Sequence, residues 1–149
     1  MVISNIREDE CNKLNFIKKE IRKHTSLTIK QSRIRKDELP TGKYIYSIDP
    51  NTLKFTDKIR LYCQTGDVDY KPHLLASVAI HEFGHHLMMG KTPLHSEIEA
   101  WEAGRNYFLK LNENILPLKF NSTQQYFLWT YGIGDEGEFI RHNDIERTD

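Results

Sequence analysis

The stretch AIHEFGHHLMMG, Ala79 to Gly90, sets two histidines four residues apart inside an apolar run, with a glutamate beside the first. Read together with the residues from Pro72 onward, it predicts a helix of about five turns. Proline suits a first turn, where its missing N–H is no loss, and Gly90 is the usual stop. On a helix, residues four apart differ by about 40°, so His81 and His85 share a face and their ring nitrogens can converge on one ion. Glu82 is turned by about 100° from His81. That takes it off the ligand direction yet leaves it within reach of a water held by the ion, which is where a general base belongs. His86 turns away from this face, toward packing, a cap or solvent.

Composition alone does not produce such a pattern. With 7 histidines and 12 glutamates in 149 residues, chance supplies about 0.03 occurrences of His-Glu-x-x-His. Three ionisable groups in a buried helix also cost on the order of several kcal/mol unless they are paired or bound to metal. The competing reading is a hydrogen-bonded core cluster without metal.

A catalytic zinc site takes three protein ligands and keeps one position open. A histidine six residues beyond His85 would complete one such set, but Lys91 stands there. The remaining candidates are His95, Glu97, Glu99 and Glu102. On the helix that follows, Glu97 aligns with Ala100, Trp101, Gly104, Phe108 and Leu111, the apolar and small-residue face that must pack inward. Glu99 instead shares a face with Glu102, Ala103, Asn106 and Lys110, which reads as solvent-facing. It also lies three residues after Ser96, the spacing of a capping box that would turn it back to the helix start. Glu97 is therefore the preferred third ligand, with Glu99, His95 and Glu102 standing as alternatives.

Outward from this core, residues from about Ile6 to His24 place Ile6, Leu14, Ile17 and Ile21 at helical intervals. SLTIKQSRI and GKYIYSID read as strands, DPNTLKFTD as a loop, and KIRLYC as a third strand closed by QTGD. Helices are expected from the Thr92-Pro93 or Ser96 start to about Asn112, and over the short aromatic segment STQQYFLWTYG, whose rings suit core more than interface. One helix, three strands and then two or three helices give an α+β domain, a small three-stranded sheet with helices packed on it.

The length suits one domain over residues 1–149. Net charge is zero, but it is spread as +5 over residues 1–43, −1 over 44–134 and −4 over 135–149. Solvated faces account for this spread, and no nucleic-acid partner is inferred. The acidic segment 135–149 is expected to be a flexible tail or to cover the cleft through His142. Cys11 and Cys63 have neither disulfide-framework nor thiolate-zinc spacing, and the N-terminus lacks a signal-peptide core, so a reduced cytoplasmic location is expected. No apolar run approaches the roughly 20 residues that cross a bilayer, so no membrane partner is expected.

HEFGHH on a helix, preceded by KIRLYC and followed by SEIEAWEAG, resembles the gluzincin side of the zincin metallopeptidases. It is similar in particular to the small ImmA/IrrE-type peptidases of bacteria, phages and mobile elements, over roughly residues 58 to 108. The resemblance implies a Zn2+ held by His81, His85 and Glu97, a water-activating Glu82, and a protein or peptide substrate inside the cell, such as a regulatory protein. It further implies that Lys58 to Cys63 is a sheet edge on which an extended peptide pairs. Tyr107, Tyr131 and His142 are candidate oxyanion donors. A non-catalytic zinc-binding interaction or regulatory domain of phage or mobile-element origin is the alternative, and Glu82 argues against it, since a purely structural site has no need of that residue. A metal-free accessory protein is the remaining possibility.

Overall fold

Leu14, Ile17 and Ile21 recur at helical spacing and are fully buried, and they seat the first helix, α1 (Val2–Arg22), on the rest of the molecule. This is seen in a computed structural model that describes residues 2–32, 39–66, 71–92 and 94–130. Ile6, on the expected apolar stripe, is exposed. Glu10 is buried in its neighbourhood instead. It is satisfied there by the Leu118 amide (2.9 Å) and by Lys13 (3.0 Å), whose ammonium also reaches the Leu116 carbonyl. These bonds tie α1 to the connection that leads into the last helix.

Three strands follow: β1 (Ser26–Ser32), β2 (Thr41–Ile48) and β3 (Phe55–Gln64). β3 starts earlier than expected, because Phe55, Thr56 and Asp57 pair with Ile48, Ser47 and Tyr46. The loop between β2 and β3 shrinks to a turn in which the Asp49 carboxylate accepts from the Asn51 amide and Leu53 adopts a φ of 60°. The strand order is β1-β3-β2, with β1 parallel and β2 antiparallel to β3. Lys58 to Cys63 is thus the middle of the sheet, which corrects the expectation that it forms an edge. Its backbone is used on both sides. Its alternate residues Ile59, Leu61 and Cys63 point into the core, as a strand with one packed face requires. The strand beside the helix that carries the histidines, with no outer strand partner among the described residues, is β2.

The next helix, α2 (Pro72–Met89), has little polar face to offer, and nearly all of its first fourteen residues are buried. A helix apolar on every side belongs in the centre of a fold. Accordingly α1, the sheet, α3 (Glu97–Leu111) and α4 (Phe120–Thr130) all pack on it. α3 starts at Ser96, not at the earlier Thr92-Pro93 signal. Ser96 Oγ accepts from the Glu99 amide and the Glu99 carboxylate accepts from the Ser96 amide, a complete capping box. Trp101 and Phe108 bury toward α2, whereas Leu111, at the end of the same stripe, is 47% exposed. In α4, Phe127 and Leu128 join the core while Tyr126 and Trp129 face outward, so the aromatic segment is half core. The architecture is α+β: an N-terminal helix, a mixed three-stranded sheet and three helices packed together. Among the described residues no helix is long and apolar enough to cross a membrane.

Helices α2 and α3 meet closely. A Cβ at Gly84 would lie 1.8 Å from the Ala100 carbonyl oxygen, and one at Gly104 would lie 2.2 Å from the Ile80 carbonyl oxygen. Glycine at both points lets the two backbones touch, and that contact sets Glu97, near the start of α3, against the middle of α2.

Candidate metal centre

His81 and His85 project from adjacent turns of α2, and Glu97 projects from the first turn of α3 toward them. Nε2 of His81 lies 2.8 Å and Nε2 of His85 lies 3.4 Å from Oε1 of Glu97. One ligand atom from each of the three residues falls within 4.8 Å of the other two. All three side chains are buried, Glu97 completely. Neither oxygen of Glu97 receives a well-aligned hydrogen bond among the described residues. A carboxylate withdrawn from water is costly unless it is paired, and the groups this one faces are the two imidazole nitrogens. Two imidazole nitrogens and a carboxylate oxygen within reach of one point are a donor set that could hold a metal ion. The residues fit a metal ion.

Each imidazole is backed by a larger ring. Trp101 stacks on His81 with centroids 4.4 Å apart and planes 20° from parallel. Tyr44, on β2, lies parallel to His85 at 6.3 Å. Trp101, at stacking distance, limits the rotation of the His81 ring, and Tyr44 flanks His85. Neither role could be read from local spacing: Trp101 was legible only as a core residue, and Tyr44 comes from a strand whose place in the sheet is decided far along the chain.

Glu82 is buried beside the triad, its Oε2 3.8 Å from Nε2 of His81. Gly42 on β2 makes room for it, since a Cβ there would sit 2.7 Å from Glu82 Cγ and 2.8 Å from a methyl of Val78. Of the other ligand candidates, Glu99 is taken by the capping box and Glu102 is exposed. His95 sits behind His85, its Nε2 2.8 Å from Nδ1 of His85 and its Nδ1 2.9 Å from the Thr92 carbonyl. Burial is the main influence on His95 and lowers its pKa, outweighing the Thr92 carbonyl and the nearby carboxylates.

A second polar cluster lies on the flank of α2. His86, Tyr44 and Thr25 all donate to the Asp57 carboxylate, Tyr44 and Thr25 at 2.7 Å. His86 is thus turned off the triad, as expected, and it packs by bonding to Asp57. Burial pushes the Asp57 carboxyl upward, but the three hydrogen bonds outweigh it and leave the pKa below the ordinary 3.8. Burial and then Asp57 raise the Tyr44 phenol well beyond its usual range, so it stays a donor. A depressed folded-state pKa contributes stability that is present above 3.8 and lost as pH falls through the lowered value. Asp57→Asn should therefore be less stable than wild type at neutral pH, with the gap closing below that point in acid denaturation series. A gap independent of pH would disprove the coupling.

Tyr107, expected as a possible oxyanion donor, faces elsewhere. Its hydroxyl donates to Glu20 (2.6 Å) and meets His24 (3.0 Å), and its ring packs on Phe83, on the side of α2 away from His81. Burial and Glu20 push its pKa up to about 12. Tyr131, His142 and the acidic segment 135–149 lie outside the described residues. Comparison with models of known protein families, with curated proteins and with solved structures finds no match to this chain.

Proposed function

We propose that this protein is a zinc-dependent peptidase acting on an intracellular protein, with His81, His85 and Glu97 as ligands and Glu82 as general base. The observation that carries this reading is the buried convergence of the three ligand atoms with a fourth, non-ligating carboxylate at its edge. A site built only for stability closes its coordination with four ligands and gains nothing from burying a further acid beside them. When bound, zinc would polarise a peptide carbonyl and make a water molecule acidic near neutral pH.

The remaining chemistry belongs to the chain. Glu82 would hold at its carboxylate the proton lost by the attacking water and return it to the departing amine. Trp101, stacked on His81, would limit the turning of that imidazole. The outer edge of β2, which has no strand partner among the described residues and whose Gly42 lies against Glu82, would offer a line of backbone donors and acceptors along which an extended peptide could pair. β2 thus takes the role that the resemblance gave to Lys58–Cys63.

Elemental analysis of protein purified without chelator or affinity metal tests the reading. About one zinc per chain is expected in the wild type. His81→Ala and His85→Ala should lose it, and Glu97→Gln should weaken its retention far more than Glu99→Gln, whose effect should be confined to the start of α3. The reverse order for the two glutamates would overturn the ligand assignment, and a wild type that takes up no added zinc would end the peptidase reading.

A further inference from the structure

We propose that His95 is a positioning residue that fixes the tautomer of His85 and thereby turns the Nε2 lone pair of His85 toward the ion. The inference rests on the metal reading above and adds a residue to it. It follows from counting protons along a short chain of bonds. The Thr92 carbonyl can only accept, so the Nδ1 of His95, 2.9 Å away, carries hydrogen. A neutral ring has one such hydrogen, which leaves His95 Nε2 as an acceptor. Its partner at 2.8 Å is Nδ1 of His85, which must then donate. A neutral His85 that is protonated on Nδ1 has a bare Nε2, and that is the atom facing Glu97.

The chain is held at both ends. α2 stops at Gly90, and the amides of Lys91 and Thr92 both return to the Met88 carbonyl, so the Thr92 carbonyl is fixed to the helix end. Ser96, next to His95, is locked as the N-cap of α3. Between these points His95 is buried, with its ring 5.0 Å from that of His85. A doubly protonated His95 would satisfy Thr92 as well, but it would make His85 Nδ1 the acceptor and put hydrogen on Nε2. The two arrangements differ in an observable property, the tautomer of His85. Partners of this kind, bonded to the far nitrogen of a ligating histidine, are worth roughly 10- to 100-fold in metal affinity.

The experiment has two readouts on the full chain. Long-range proton–nitrogen correlation spectra of the histidine rings, recorded without metal, should show His85 in the Nδ1–H form. Zinc affinity, measured by competition with a chromophoric chelator, should fall roughly 10- to 100-fold in His95→Ala. It should recover in His95→Gln, whose amide oxygen can accept from His85 Nδ1, and a mere packing role would not predict that recovery. If His95→Ala folds poorly, the wild-type spectrum and the glutamine variant still decide. Zinc binding by a wild type whose His85 carries its proton on Nε2 would overturn this inference alone, as would unchanged affinity in His95→Ala. A wild type that binds no zinc would overturn the metal site and this inference with it.

Discussion

Glu82→Gln should keep zinc at the wild-type level and lower peptide hydrolysis roughly 100- to 10,000-fold, the range that a positioned acid or base contributes. Glutamine preserves the volume that Gly42 and Val78 leave for this side chain, so packing is not the cause of the loss. It removes the carboxylate that can take a proton beside His81, while the ligand atoms of His81, His85 and Glu97 are untouched. Metal content by elemental analysis and cleavage of a fluorogenic peptide library, measured on the same preparations, separate the two properties. Equal cleavage by the variant and the wild type would leave a metal site without this chemistry, and the non-catalytic zinc domain would become the better reading.

How far the site could be read from the sequence depended on how local each relationship is. His81, Glu82 and His85 lie on one helix, where spacing alone fixes direction. Glu97 lies on another helix, yet it was legible because the small and apolar residues after it, Ala100 and Gly104 in particular, mark the inward face, and Ser96 with Glu99 marks the start. The sheet was different. The alternation in KIRLYC shows that one face is buried but says nothing about which neighbours fill the two sides, and β3 proved to be central. That one non-local fact makes β2 the outer strand beside the site among the described residues, and brings Tyr44 and Gly42 there. Asp57 was read as part of a loop because Asp49 to Asp57 is rich in turn formers. Pairing of Phe55 and Thr56 with β2 overrode that tendency. His95 was weighed as a ligand on residue type, but its role depends on which of its two nitrogens meets which partner, and a sequence does not encode that directly.

Gly84→Ala should lower stability by at least about 3 kcal/mol, the upper end of ordinary overpacking, and Tm by roughly 10 °C for a chain of this size. The same substitution should also release zinc, although no ligand is changed. In the middle of a helix, alanine is ordinarily the better residue by about 1 kcal/mol, so local propensity predicts the opposite sign. The close approach decides against it. The added Cβ would stand 1.8 Å from the Ala100 carbonyl oxygen, and backbone cannot rotate aside as a side chain can. The helices must separate, and Glu97, one turn before Ala100 on α3, moves with its helix away from His81 and His85. Gly104→Ala presses on the same crossing from the other side, at 2.2 Å from the Ile80 carbonyl oxygen, and should reproduce both losses. Thermal melts recorded with and without a chelator test the linkage. In the wild type the chelator should lower Tm, because an ion bound only to the folded state stabilises it. In both alanine variants that chelator-dependent difference should shrink toward zero. A variant that melts early but retains the full difference would show that the helix crossing sets the stability of the fold without setting the position of Glu97.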